Sequence, residues 1–245
     1  MGNRYAVADL HGQLHLFNQI KEYINDDDIV YALGDFGDRG DEPWRTLKAV
    51  LDDPQFIYLM GNHDLMLLQA IEEYEILLKK DGYCNIAHQI LSRNGAIAQL
   101  GYSGGYYTIH QWKDEPNRMK YYEKLKRLPV EIRLAALDGR RLIYLTHAGY
   151  TPKHMCAKNL EEFLWDRHHF LEHWGQSNRD ILIHGHTPIP HLINKLKKDT
   201  YNTDKIYCLY SNGHKIDIDI ASYHTNLAIL LNIDTLESMV FKGDS

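Results

Sequence analysis

Through the first eighty residues, short apolar runs alternate with stretches in which apolar side chains recur every three or four positions. Residues 4–8 predict a strand that breaks at Asp9-Leu10-His11-Gly12, and Leu14, Phe17, Ile20 and Ile24 then predict a helix. Residues 28–33 predict a second strand, stopping at Gly34-Asp35. Pro43 suits a first helical turn, and Trp44, Leu47, Val50 and Leu51 give that helix one apolar face. A third strand over 56–60 ends at Gly61-Asn62-His63-Asp64, with a helix expected from about Leu65 towards Lys80. This β-α-β-α-β opening implies parallel strands joined by right-handed crossovers. Ligands of such sheets gather at the carboxyl ends of the strands, where Asp9, His11, Asp35, Asn62 and His63 all fall.

The middle is less regular. Helical pieces are expected near 86–91 and 118–127, with a Gly/Tyr-rich segment over 101–107 between them. Residues 132–137 and 141–146 flank Asp138-Gly139, a strong hairpin signal that predicts an antiparallel pair whose second strand ends at His147-Ala148-Gly149. A helix is expected over 161–170, and a strand over 180–183 ending at His184-Gly185-His186-Thr187-Pro188. Further strands are expected over 206–210, 215–220, 227–233 and near 239–241. Strands that follow β-α units predict an α/β fold: two mixed sheets packed face to face as a sandwich, with helices outside.

Of 245 residues, 44% are hydrophobic, enough for one good-sized core. The expectation is a single domain, 1–245, with a mostly helical insertion at about 65–128. A net charge of −6 and the lack of a long basic block argue against nucleic acid as a partner. No apolar run is long enough to span a bilayer and no leader is evident, so no membrane partner is expected. Cys84, Cys156 and Cys208 form neither a zinc-type pair nor a disulfide framework, which suits a cytoplasmic protein.

Five strand exits carry, in order, Asp-x-His, Gly-Asp-x-x-Asp-Arg-Gly, Gly-Asn-His-Asp, His-Ala-Gly and Gly-His-Thr-Pro. Each is weak alone; five in series form a strong signal. Mixed carboxylate, amide and imidazole donors without thiolate suit manganese, iron or zinc. A central carboxylate bridges two metals about 3.5–4 Å apart, and a water shared by the pair becomes hydroxide near neutral pH. Asp35 is the natural bridge. Arg39 offers a fork for two phosphoryl oxygens. His63, held by Asp38, is placed to act as a general acid while its neighbour Asn62 faces the metal. Other polar residues have plainer readings. His184 packs at its strand end, His168, His169 and His173 form a solvated face, and Asp217 and Asp219 line the polar side of a strand. Tyr106, Tyr107, Tyr121 and Tyr122 serve packing.

The motif set resembles the metallophosphoesterases, and within them the phosphoprotein phosphatase branch of bacterial and phage Ser/Thr phosphatases, related to the symmetrical dinucleoside-tetraphosphate hydrolases. Leu128-Pro129 and Leu164-Trp165-Asp166-Arg167 agree, and Pro188 stands where wider superfamily members carry a further histidine. The resemblance implies that Asp9, His11 and Asp35 hold one metal and Asp35, Asn62, His147 and His186 the other. It implies that Arg39, Arg167 and Asn62 bind phosphate, that Asp38 and His63 form the acid pair, and that the fold is a calcineurin-like β-sandwich. Manganese is the first choice of metal, iron or zinc the next. Asp64 replaces the usual Glu, and residues 62–68 match the dinucleoside-tetraphosphate hydrolases at least as well. The expected activity is hydrolysis of phosphoserine or phosphothreonine in proteins, or of small phosphoesters, by direct attack of metal-bound hydroxide. The alternative is cleavage of diadenosine tetraphosphate, and a further one is a non-catalytic phosphate-binding module.

Overall fold

The computed structural model describes residues 2–149, 160–167, 180–196, 201–202 and 206–243. Cys156, His168, His169, His173 and the end of the helix expected over 161–170 lie outside the described residues. The opening alternation builds β1 (Arg4–Val7), α1 (Leu14–Tyr23), β2 (Ile29–Ala32), α2 (Pro43–Asp52), β3 (Phe56–Tyr58) and α3 (Asn62–Asp81). Then come α4 (Ile86–Ser92), α5 (Ala96–Leu100), a π-helical turn (Gly101–Gly105), α6 (Tyr106–Lys113) and α7 (Arg118–Leu125). The hairpin strands β4 (Glu131–Ala135) and β5 (Leu142–Thr146) precede α8 (Leu160–Trp165), β6 (Ile181–His184) and α9 (Ile189–Ile193). The last described elements are β7 (Tyr201–Asn202), β8 (Cys208–Tyr210), β9 (Lys215–Asp217), α10 (Ser222–Thr225), β10 (Leu227–Asn232) and β11 (Ser238–Lys242).

Two mixed sheets result. One runs β11-β10-β1-β2-β3, with β1, β2 and β3 parallel and β10 antiparallel to β1. The other runs β4-β5-β6-β9-β8-β7, with β5, β6 and β9 parallel and β4 antiparallel to β5 across the Asp138-Gly139 turn. Successive strand residues point to opposite faces, and β1 shows what each face does. Tyr5 and Val7 pack under the helices with Phe17, Leu47 and Ile71. Ala6 and Ala8 face the second sheet, meeting a layer that holds Leu33, Ile143, Leu145, Ile183, Ile216 and Leu231. Beyond the second sheet, Tyr144 and Leu182 pack with Phe163 and Leu164 of α8. The sandwich and its outer helices are thus those expected from the pattern.

Two local expectations change. Helix α3 begins at Asn62 rather than Leu65, because Asp64 Oδ2 accepts from the Gly61 amide and closes the first turn. The Gly/Tyr-rich segment, to which the sequence assigns no element, is helical. Glycine disfavours helix, but Ile97, Leu100, Ile109 and Trp112 on either side are buried in the cluster under the first sheet, and packing overrides propensity. Gly104 (φ +98°) supplies the kink.

Asp52 ties α2 to α7. Its carboxylate accepts from Lys124 Nζ (2.7 Å), Lys120 Nζ (3.1 Å) and the Tyr121 hydroxyl (2.6 Å). Burial works against its charge, but these three donors outweigh that and hold its pKa down at about 2. The Asp52 side chain is 36% exposed, so solvent screening limits what the charge contributes. A depressed carboxyl stabilises above its unfolded pKa of about 3.9, and that contribution is lost as pH falls through the folded value. Asp52→Asn is expected to lower stability by no more than about 1 kcal/mol at pH 7. The gap to the parent in urea titrations should close between pH 4 and pH 2, and a gap independent of pH would show that the charge is irrelevant.

Candidate metal and phosphate site

The tips of β1, β2, β3, β5, β6 and β9 meet at one end of the sandwich. Here the backbone departs from its usual preferences. Asp9, His11, Asp35, Asp38, Arg39 and His186 all have φ between +43° and +68°, a region that Asp and His tolerate better than most residues but that is strained for any side chain. Neighbouring chains pass so closely that a Cβ on Gly61 would lie 2.0 Å from Asp35 Oδ1, and one on Gly185 would lie 2.1 Å from Asp9 Oδ2. Both positions therefore admit only glycine. The tips are cross-tied: the His11 amide donates to Asp35 O (3.0 Å), the His63 amide to Asp35 Oδ1 (2.9 Å), and the His186 amide to Asp9 Oδ2 (2.9 Å).

Two groups of ligating atoms form, each within 4.8 Å: His11, Asp35 and His63, and Asp35, His147 and His186. Asp35 belongs to both. Asn62 joins the second group, its Oδ1 lying 2.9 Å from His147 Nε2 and 2.9 Å from His186 Nδ1. Asp9 is buried beside them, turned towards the His186 amide, and His63 stands in the first group where Asp9 was expected.

Cations fit this donor set. His11 Nδ1 donates to Gly37 O (3.0 Å) and His147 Nδ1 to Leu33 O (2.7 Å), which turns each Nε2 into the site, as in metal-binding histidines. His186 Nε2 is buried without a partner. The Asn62 carbonyl faces two ring nitrogens, an arrangement that needs a proton or a cation in between. Burial disfavours charge on His147, but Asp35 and Asp9 outweigh it and push its pKa up to about 10. Burial also works against the Asp35 carboxylate, yet His147 and His63 hold its pKa well below the usual range. Burial, then Asp219, pushes Asp9 well up. Proton and metal thus compete for one place.

Asp38 and His63 meet as expected, with Nδ1 2.7 Å from Asp38 Oδ2. Thr108, from the insertion, donates its hydroxyl to the other Asp38 oxygen and fixes the carboxylate. Burial disfavours a charged His63, but Asp35 and Asp38 outweigh it and raise its pKa. Arg39 donates to His63 Nε2 (2.8 Å) and His11 Nε2 (2.9 Å), its guanidinium supplying positive charge between the rings. The Arg39 amide is held by Gly104 O (3.0 Å), so the insertion positions this arginine. Arg167 lines the same cavity and donates from Nε to Thr187 Oγ1 (3.3 Å).

The cavity over these groups is about 820 Å³. Gln99, Tyr102 and Ser103 of the insertion contribute to its lining, as do Trp165, His191 and Tyr223. His184 takes no part in the donor groups; its Nε2 lies 2.6 Å from the Tyr210 hydroxyl at the strand end. Asp217 and Asp219 correct the sequence reading, for both are buried and Asp219 lines the cavity. An Ile-Asp alternation signals one wet face only when one face of the strand is open, but every residue of β9 is buried and Asp219 lies beyond its end. Asp219 does repeat the signal of the other tips, an acid at the end of an apolar run. Asp64 was seen only as a departure from Glu. It accepts from the Gly61 amide (2.8 Å), the Asp35 amide (3.2 Å) and the Tyr58 hydroxyl (2.9 Å), and so locks the second tip to α3.

Known proteins share this plan. The family model for calcineurin-like phosphoesterases matches residues 4–221. A symmetrical bis(5'-nucleosyl)-tetraphosphatase of Pseudomonas syringae pv. tomato is 26% identical over 162 residues, 64% of this chain and 44% of that protein. Serine/threonine-protein phosphatase 2 of Salmonella typhimurium is 38% identical over 71 residues, 28% of this chain and 32% of that protein. The matches thus span less than half the length of these curated relatives. The crystal structure of a protein assigned provisionally as a diadenosine tetraphosphatase superposes with a TM-score of 0.60 at 16% identity, covering 100% of this chain and 95% of the other. A match that begins in the first strand and runs to the turn before α10, on a sandwich built in the same way, means that this chain belongs to the calcineurin-like phosphoesterase family.

Proposed function

We propose that the chain hydrolyses a phosphoric anhydride in a dinucleoside polyphosphate, with diadenosine tetraphosphate the first substrate to test. The observation that carries this reading is the cavity. At about 820 Å³ it is far larger than a phosphoryl group needs and falls in the range of sites that enclose whole small molecules. Charged and metal-ligating groups sit on its floor, and Tyr102, Trp165 and Tyr223 present aromatic surface around it. Aromatic faces accept nucleobases by stacking. The tetraphosphatases among the relatives support the same order, which reverses the preference for phosphoproteins that the motifs alone suggested.

Asp9, His11, Asp35, Asn62, His147 and His186 would hold two divalent cations, with Asp35 common to both. When bound, such a pair supplies an activated water and polarises phosphoryl oxygens. The protein's own groups do the rest. Cations at the two groups would take over the positive charge that Arg39 now lends to His11 and His63. The guanidinium is then free to swing onto the phosphoryl oxygens, opposite Arg167. Once Arg39 leaves, His63 Nε2 can carry a proton towards the departing oxygen, with Asp38 holding the ring and Thr108 holding Asp38.

One observation favours a second reading, the phosphomonoester of serine or threonine: the buried His63–Asp38 pair. An alkoxide needs a proton as it leaves, whereas a nucleoside diphosphate leaves readily without one.

Three measurements bear on this. With manganese added, product analysis of diadenosine tetraphosphate should give ADP and leave a phosphopeptide untouched; the opposite outcome would restore the phosphoprotein reading. His63→Asn should retain its metals and, on any small alkyl phosphate that the parent turns over, lose about a hundredfold or more in kcat. The loss should be far smaller on p-nitrophenyl phosphate, and equal losses would remove the acid role. Asp35→Asn should bind neither cation by elemental analysis, and full metal content in that variant would contradict a shared ligand.

A further inference from the structure

A second cavity, of about 410 Å³, adjoins the first. Tyr223 lines both, and is 43% exposed on the ridge between them. The boundary is also crossed by the chain at residues 39–41. Arg39 lines the first cavity with its guanidinium on His11 and His63, whereas Gly40 and Asp41 line the second.

The composition of the second cavity is distinctive. Besides Tyr223 and Asp41 it presents Gln13, His15, Gln19 and Asn226, with no lysine or arginine among its described lining residues. His15 Nε2 stands 2.7 Å from Asn226 Oδ1, which joins α1 to the turn before β10. Without a cationic side chain, and with a carboxylate, this is a poor seat for phosphate. Gln19 donates from Nε2 to Lys242 O (3.1 Å), which orients its side-chain carbonyl as an acceptor for a purine amino group; a carboxylate matches ribose hydroxyls, and the Tyr223 ring offers a stacking face.

We infer that the second cavity is a nucleoside subsite: it takes the base and ribose at the far end of a dinucleoside polyphosphate whose phosphates lie over the strand tips. The inference rests on the dinucleoside polyphosphate reading above and adds where the second nucleoside goes. Tyr223 then separates the two halves of the substrate, and selectivity for two nucleosides over one resides in Gln13, Gln19 and Asp41.

The test compares diadenosine tetraphosphate, adenosine 5'-tetraphosphate, a phosphopeptide and p-nitrophenyl phosphate. It uses the parent and a Gln19→Ala, Asp41→Ala double variant. Asp41 is exposed and Gln19 partly so, and both lie away from the metal and phosphate groups. In the parent, KM should be lower for the dinucleotide than for the mononucleotide. In the double variant, KM for the dinucleotide should rise about tenfold, as expected for a pair of lost hydrogen bonds. The values for adenosine tetraphosphate and p-nitrophenyl phosphate should stay within about twofold. Equal KM for the two nucleotides in the parent overturns the subsite without any variant. So does an unchanged dinucleotide KM, or an equal rise for both nucleotides, in the double variant. Loss confined to the phosphopeptide would assign the cavity to a peptide instead. Turnover of p-nitrophenyl phosphate without turnover of the dinucleotide by the parent would remove the substrate reading itself, and the subsite with it.

Discussion

Charge balance around Asp35 is the constraint on which this end of the molecule depends. Asp9, Asp35, Asp38, Asp64 and Asp219 are all buried there. Buried carboxylates are tolerable only when paired or hydrogen-bonded. Each finds a different answer. Asp38 has His63 and Thr108. Asp64 has two backbone amides and the Tyr58 hydroxyl, although burial, with Asp35 nearby, pushes its pKa up to about 7. Asp35 lies against a charged His147 on one side and near His11 on the other. The arrangement holds together as it stands because His147 and Arg39 lend positive charge, and the same places suit divalent cations.

Backbone strain serves this arrangement. Six candidate residues sit at positive φ, among twelve non-glycine residues with that conformation in the described chain. The six fall in the turns that follow β1, β2 and β6. Regular strands below and hydrogen bonds between tips hold these turns in place. Strain of this kind persists where the surroundings over-determine it, and here the surroundings are two sheets whose facing layers are filled largely by isoleucine, leucine, alanine and tyrosine.

Much of this was legible in the sequence. Short apolar runs ending in Asp, Asn or His placed Asp9, Asp35, Asn62, His147 and His186 at strand exits, and one end of the sandwich brings them together. What was not legible arises from contacts between distant segments. Thr108 reaches Asp38 across seventy residues, and nothing local distinguishes it from any helical threonine. Asp219 resembled a solvated strand residue because the alternation runs on past the end of β9, and only the fold shows that the strand stops before it and that it lines the cavity. Tyr102 belongs to a glycine-rich segment whose composition suggests a loop, yet packing makes it helical and sets the tyrosine at the cavity. The segment from α4 to α7 thus does more than cover the first sheet. Through Gly104 it holds the Arg39 backbone, and through Thr108 it holds Asp38.

A shared Asp35 has a magnetic consequence. Low-temperature electron paramagnetic resonance of the protein loaded with manganese(II) reads the spacing and bridging of the bound ions directly. The multiline spectrum of an exchange-coupled manganese pair is expected. The simple pattern of isolated ions, whatever the number bound, would contradict a centre built on one carboxylate common to both cations.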